Sequence, residues 1–420
     1  MSLPPSTHNL GALSAELVAK GKKFYTANYK PREMILDRAA GSTMWDLDGN
    51  DYIDLGAGIA VCGLGHQDPD LLAALDAQSR KIWHTSNVFF TEPPIRLCEM
   101  LVETSGFAKR AYLCNSGTEA NEAAIKLVRK YAADKGKTPD QRNIITFAGS
   151  FHGRTLAAVT ATAQPKYQQG FEPLPGGFRY CATFNDEAAI EAMVDENTSA
   201  IFVEPVQGEG GVMPAKPGFL KHLRALCDKV GALLVIDEIQ SGMGRTGKLW
   251  AHQHDGVVPD VLTSAKALGG GLPIGAMLVG EKVAETFQFG SHGSTFGGNP
   301  VMSAVGLASL KKLNSPALLA KATADGDAIR ARLRKANEKL GLFADVRGVG
   351  MMIGAELVPA HHGKANDISD LARAQGVLIL VAGPNVLRLL PPLTISDAEL
   401  ATGLERLETA LAAYLGAAAA

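Results

Sequence analysis

No apolar stretch in this 420-residue chain approaches the roughly 20 residues that a membrane span needs. No block of like charge stands out either. The 41 Lys plus Arg against 43 Asp plus Glu leave a formal net charge of −2. Without a basic stripe or acidic tail, neither nucleic acid nor a membrane surface is an expected partner. Cysteine is scarce: Cys62, Cys98, Cys114, Cys181 and Cys227 are odd in number and form no C-x-x-C pair. That is the usage of a reducing cytosol with buried, inert thiols, and no metal site is expected. The N-terminus carries Pro4 and Pro5 among polar residues instead of an apolar signal core, so a cytoplasmic location is expected. Repeats are absent, and only Ala417-Ala418-Ala419-Ala420 is of low complexity.

What is present describes an ordinary soluble globular chain. Hydrophobic residues make up 46% and charged residues 20%, enough for a large core and against disorder. Short apolar runs alternate with helical patterns through the middle. The runs are Ala111 to Cys114, Asn143 to Phe147, Ala200 to Glu204, Ala232 to Asp237, Val261 to Ser264 and Ile274 to Val279. Helices such as Glu119 to Tyr131 and Gly218 to Lys229 lie between them. This βαβ rhythm predicts an α/β fold with a mostly parallel sheet between helices. Beyond about residue 310 the pattern changes: strands over Val346 to Leu357, Val377 to Val381 and Val386 to Leu390, a helix over Asp367 to Gln375, and a long helix from Ser396. A smaller α+β domain is expected there. The expected division is an N-terminal segment (1–60), a large domain (61–310) and a small C-terminal domain (311–420).

One stretch carries the most chemistry. Leu233-Leu234-Val235-Ile236-Asp237-Glu238-Ile239-Gln240 reads as a buried parallel strand that delivers Asp237 to its carboxyl end. Lys266 follows 29 residues after Asp237, between an apolar run and Gly269-Gly270-Gly271. Ligands of open α/β sheets sit at the carboxyl ends of strands, so the two residues are expected in one crevice. A lysine able to form a Schiff base, opposite an aspartate able to hold a pyridinium nitrogen, is what pyridoxal phosphate (PLP) needs from its protein. Plainer readings stand beside this one, because Asp-Glu often only caps a turn and a lysine before glycines is usually solvated. Gly242-Met243-Gly244-Arg245-Thr246-Gly247 also satisfies G-x-G-x-x-G. A nucleotide-binding dehydrogenase using Gly242–Gly247 is therefore an alternative of another class, and a non-catalytic binding protein is a third.

Other clusters fit a phosphate and a carboxylate substrate. Ser116 with Glu119 forms a capping box, and Gly117 and Thr118 then offer free backbone N–H groups at a positive helix end. The loop Gly290 to Pro300, with Ser294 and Thr295, is either a second phosphate contact or a flexible connection. Phe151-His152-Gly153-Arg154 follows a strand, so Phe151 could stack on a pyridine ring and Arg154 could reach a carboxylate. His152 has the charge range of an acid/base, but with Lys266 available it is read as structural. Glu204 and Glu209 place two carboxylates at another strand end, and Arg388 is a charge amid apolar residues that wants an anion.

Taken in order, these residues resemble a known family. Trp45-Asp46-x-x-Gly49-x-x-Tyr52-x-Asp54, Gly65-His66-x-x-Pro69, Asn115-Ser116-Gly117-Thr118-Glu119-Ala120-Asn121, Phe151-His152-Gly153-Arg154, Glu204-Pro205-x-x-Gly208-Glu209, Asp237-Glu238 and Lys266 are similar to class-III, fold-type-I PLP aminotransferases. Ile59-Ala60-Val61, His84-Thr85-Ser86-Asn87 and Ser291 to Thr295 most resemble the acetylornithine and succinylornithine branch. Tyr29, sixteen residues before Trp45, fits ornithine handling and is counted as a substrate contact.

The resemblance implies a role for each residue. Lys266 would hold PLP and shuttle a proton, Asp237 would keep the pyridine nitrogen protonated, and Gln240 would meet the ring hydroxyl. Phe151 would stack on the ring, with Glu238 and Ile239 completing the cofactor set. Gly117 and Thr118 would take the phosphate, with Ser294 and Thr295 reaching in from a second subunit of a homodimer. Glu209 would neutralise Arg388 for the donor and swing away for 2-oxoglutarate, while Arg154 anchors the distal carboxylate. The implied reaction moves the δ-amino group of N2-acetyl- or N2-succinyl-L-ornithine to 2-oxoglutarate, giving the N-acylglutamate 5-semialdehyde and L-glutamate. Ornithine and 4-aminobutyrate remain open as donors within the class.

Overall fold

The alternation of apolar runs and helices builds a seven-stranded sheet. In chain order its strands are β1 (Ala108–Cys114), β2 (Asn143–Phe147), β3 (Phe178–Cys181), β4 (Thr198–Val203), β5 (Leu233–Asp237), β6 (Val261–Ser264) and β7 (Gly275–Gly280). The computed structural model describes residues 10–419, so Pro4, Pro5 and Ala420 lie outside it. The spatial order is β1-β7-β6-β5-β4-β2-β3. Pairings among β2 to β6 are parallel, and β7 alone runs against its neighbours β6 and β1.

Both faces of this sheet are covered, which explains why its central strands are unbroken apolar runs. Along β5 the side chains alternate. Leu233 and Val235 pack with Ala124, Leu127 and Val128 of the helix Gly117–Asp134. Leu234 and Ile236 pack with Leu220, Leu223 and Cys227 of the helix Phe219–Val230. Fully burying each Leu, Ile or Val contributes about 1.5–3 kcal/mol, so the sheet is a rigid platform for whatever its strand ends carry.

A second sheet joins Phe343–Val349, Met352–Leu357, Val386–Leu389 and Leu380–Val381, all antiparallel. Three antiparallel N-terminal strands, Leu36–Ala40, Thr43–Asp46 and Asp51–Asp54, gain Val377–Leu378 as a parallel fourth. The run Val377 to Val381, expected as one strand, therefore divides between two sheets at Ile379. Among the elements not anticipated, β3 is only four residues long, and the helix Pro316–Leu340 contains Asp325-Gly326 near its centre, a pair that reads locally as a turn. No helix among the described residues is long and apolar enough to cross a membrane.

Candidate active site

The carboxyl ends of four parallel strands converge on one cavity of about 430 Å³. β5 brings Asp237, Ile239 and Gln240; β6 brings Ala265 and Lys266; β4 brings Glu204; and the segment after β2 brings Phe151, His152, Gly153 and Arg154. Asn115, Ser116, Gly117 and Thr118, after β1, close the remaining side. Asp237 and Lys266 thus share the crevice that their strand-end positions require.

Asp237 is 4% exposed and its oxygens are held by three donors. Oδ1 accepts from Ile239 N (3.0 Å), and Oδ2 accepts from Asn121 Nδ2 (2.8 Å) and meets His152 Nδ1 (2.8 Å). His152 is buried and stacks on Phe202 with ring centroids 4.4 Å apart. So His152 and Asn121 orient the aspartate, a task that sequence reasoning missed. The only signal was their presence in motifs read for other purposes.

Lys266 adopts φ +47°, a conformation that side chains other than glycine rarely hold without a functional reason. Burial, opposed by Glu209 and reinforced by Arg388, lowers its ammonium to about 8. A neutral amine is therefore accessible near physiological pH. In the cofactor-free protein this has a consequence for stability. Between about 8 and the unfolded value of about 10.4 the unfolded chain binds more protons, so stability rises with pH across that window. The cost of the buried ammonium is fully present below that window. Cofactor-free Lys266→Met is expected to melt above cofactor-free wild type at pH 7, with the margin shrinking towards pH 10. A margin independent of pH would contradict the depressed lysine.

The helix Gly117–Asp134 starts at this cavity, capped by Ser116 Oγ accepting from Glu119 N (3.3 Å). The reciprocal half of the box is shifted by one residue, because Glu119 Oε2 takes Asn115 N (2.6 Å). The N–H groups of Gly117 and Thr118 have no acceptor within the helix, as at any helix start, and both residues line the cavity. The backbone packs too closely here for side chains. A Cβ on Gly117 would lie 2.8 Å from Ile239 Cδ1, and one on Gly153 would lie 2.1 Å from Thr118 Oγ1. A phosphate cradle, an amine, a carboxylate and the Phe151 ring are the groups that PLP requires, and the residues present fit it.

Beside the cavity, Arg388 is buried and its Nη1 bonds Glu209 Oε1 (2.5 Å), Gly208 O (3.1 Å) and Gln240 Oε1 (3.3 Å). Burial raises the Glu209 carboxyl, but Arg388, with help from Lys266 and Gln240, outweighs it and leaves the group below its usual range. Arg154 is exposed, its guanidinium 4.2 Å from the Tyr167 ring centroid and 5.5 Å from that of Phe151.

Some expected residues lie elsewhere. Glu238 faces away from the cavity, fully buried, where it accepts from Ala251 N (2.5 Å) and His252 N (2.8 Å). Adjacent residues at a strand end point to opposite sides, so Asp237 and Glu238 cannot share the site. Ser294 and Thr295 line a different cavity with Tyr112, Glu119, Glu122 and His292, and Tyr29 is 79% exposed. Gly242 to Thr246 are buried, and Arg245 donates to Met351 O (3.1 Å) and Pro391 O (2.5 Å). The glycine pattern there packs the core against the C-terminal strands and offers no open face to a nucleotide.

Comparison with known proteins points the same way. Residues 24–411 match the family described as aminotransferase class-III. The chain is 60% identical over 393 residues to an acetylornithine aminotransferase of Xanthomonas campestris pv. campestris, covering 93% of this chain and 96% of that protein. It is 50% identical over 378 residues to a succinylornithine transaminase of Citrobacter koseri, covering 90% and 92%. A crystal structure of N-acetylornithine aminotransferase from Stenotrophomonas maltophilia superposes with a TM-score of 0.84 at 51% identity, covering 95% of this chain and all of that one.

Proposed function

The chain belongs to the class-III aminotransferase family, whose members depend on PLP, and from that premise we propose that it moves the δ-amino group of N2-acetyl-L-ornithine, or its N2-succinyl analogue, to 2-oxoglutarate in arginine metabolism. The products are the N-acylglutamate 5-semialdehyde and L-glutamate. The observation that carries the reading is the convergence of Lys266 and Asp237 at one set of strand ends, with the Glu209–Arg388 pair tied to the same cavity through Gln240.

Bound here, PLP supplies a carbonyl that captures amines and a ring that withdraws electrons from the neighbouring carbon. Gly117 and Thr118 would hold its phosphate, and Phe151 and Ile239 would flank its ring. Asp237, fixed by His152 and Asn121, would keep a proton on the pyridine nitrogen. Lys266 would anchor the cofactor and carry the transferred proton on Nζ, and the burial of this lysine already favours its neutral amine. Gln240, already bonded to Arg388, would also face the ring hydroxyl.

One pocket must accept two unlike molecules. The donor has no carboxylate beside its δ-amine, whereas 2-oxoglutarate has one beside its keto carbon. Glu209 paired with Arg388 suits the donor; displaced, it would leave Arg388 for the acceptor. Arg154, resting on two aromatic faces, would take the distal carboxylate in both halves, and Tyr29 would lie along the donor. Glu209→Ala would strand a buried arginine, at about 3–5 kcal/mol less what residual water recovers. The donor half-reaction should slow, while amino transfer from glutamate should be spared or improve. Equal losses in the two single-turnover rates would remove Glu209 from this role.

The same proposal makes the protein a cytoplasmic homodimer in which Ser294 and Thr295 serve the partner's phosphate site. Supporting it are the exposed Trp83, Val88, Phe89 and Phe90, an apolar patch that a lone soluble chain rarely leaves open, and five unpaired cysteines. A monomeric holoenzyme in sedimentation would end that part. The units 1–60, 61–310 and 311–420 belong to the proposal as well, with Val377–Leu378 strapping the last to the first. A panel of N-acetylornithine, N-succinylornithine, ornithine and 4-aminobutyrate with 2-oxoglutarate tests the substrate. The acylated donors should have the highest kcat/KM, and preference for 4-aminobutyrate would overturn the assignment.

A further inference from the structure

β4 ends at Val203, and Glu204 beyond it is 6% exposed. Its carboxyl group takes backbone donors from two different loops, Phe151 N at 2.9 Å and Gly208 N at 3.4 Å. A second tie runs alongside, where Gln207 Nε2 donates to Ala148 O at 3.1 Å. Gly208 in turn offers its carbonyl to Arg388 Nη1 (3.1 Å), the same nitrogen that bonds Glu209. Glu204 is therefore one hydrogen bond from Gly208, the residue before Glu209, and one hydrogen bond from Phe151.

This is a costly place for an acid. Burial first, then the nearby Asp237, push the Glu204 carboxyl well above its usual range, against the opposing pull of the two N–H groups. None of the ion pairs among the described residues includes it. A glutamine or an apolar residue would fill the space without that penalty. The geometry accounts for the acid: each carboxyl oxygen takes one N–H, contacts that pull towards the ionised form, whereas an amide offers only one acceptor oxygen.

We propose that Glu204 is a positioning residue that clips Phe151 to the Gly208–Glu209 turn, fixing the ring-stacking wall and the Glu209–Arg388 gate at one spacing. The inference rests on the function proposed above and adds a residue that acts through its two loops. It predicts a linked defect. Loosening the clip weakens the cofactor wall and unsettles the gate together, and the gate matters more to the δ-amine donor than to glutamate.

Two variants test it. Glu204→Ala removes both acceptors, and Glu204→Gln, close in shape, keeps an oxygen for only one N–H. PLP titrated into cofactor-free protein, followed by tryptophan quenching, should give a dissociation constant raised roughly tenfold in Glu204→Ala, with a smaller rise in Glu204→Gln. In single turnovers the N-acetylornithine-to-glutamate rate ratio should fall in the same graded order, by about threefold or more for Glu204→Ala. A PLP constant within about twofold of wild type in Glu204→Ala would overturn the proposal. So would equal losses of both rates in Glu204→Gln. If wild type itself transfers no amino group, the proposed function fails, and the PLP titration still decides the assignment of Glu204.

Discussion

Lys266→Ala is expected to yield a folded protein that binds PLP without a covalent link and loses turnover by about 10⁴-fold or more. Two losses combine in this one change. The amine that captures the cofactor disappears, and so does the Nζ that carries a proton to and from the substrate carbon. No other lysine lines the cavity to substitute for it. His152 is occupied with Asp237, and Arg388 is held by Glu209. Single-turnover rates with N-acetylornithine, read beside the visible spectrum, check the expectation. Retention of more than about a hundredth of the wild-type rate would mean that another group moves the proton.

Asp237→Asn should cost about 3–4 kcal/mol of transition-state stabilisation, or roughly 10²–10³ in kcat, the order for a misplaced catalytic dipole or charge. The substitution preserves shape and removes the charge that keeps a pyridine nitrogen protonated. It also disturbs the local network. Asp237 Oδ2 serves both Asn121 and His152, each at 2.8 Å, and Oδ1 serves Ile239 N at 3.0 Å. An asparagine has one oxygen and must turn its NH₂ towards one of these donors. Near-wild-type kcat in Asp237→Asn would show that Asp237 is not the partner of the cofactor ring.

These expectations draw on features that differed in how plainly the sequence carried them. Buried parallel strands announce themselves as continuous apolar runs, so β5 and β6 were legible to within a residue, and with them the meeting of Asp237 and Lys266. The Gly117 helix start was legible because capping is local chemistry. Long-range choices were not. Nothing near His152 says that its ring will meet a carboxylate 85 positions away, and nothing in Val377 to Val381 says that the chain changes sheets at Ile379. The orientation of Glu238 is a different lesson: strand alternation alone turns it from Asp237, whereas the family pattern had grouped the two. Gly242 to Gly247 show the converse, a motif whose spacing fits a nucleotide while the burial of Gly242 to Thr246 leaves no room for one.

The most direct measurement follows the nitrogen itself. PLP-loaded protein supplied with N-acetylornithine carrying ¹⁵N at the δ position and with unlabelled 2-oxoglutarate should release glutamate carrying the label, together with N-acetylglutamate 5-semialdehyde in equal amount. The label should appear in glutamate only when Lys266 is intact. Glutamate without the label, or labelled ammonia in place of labelled glutamate, would contradict transfer of the terminal amino group through this site.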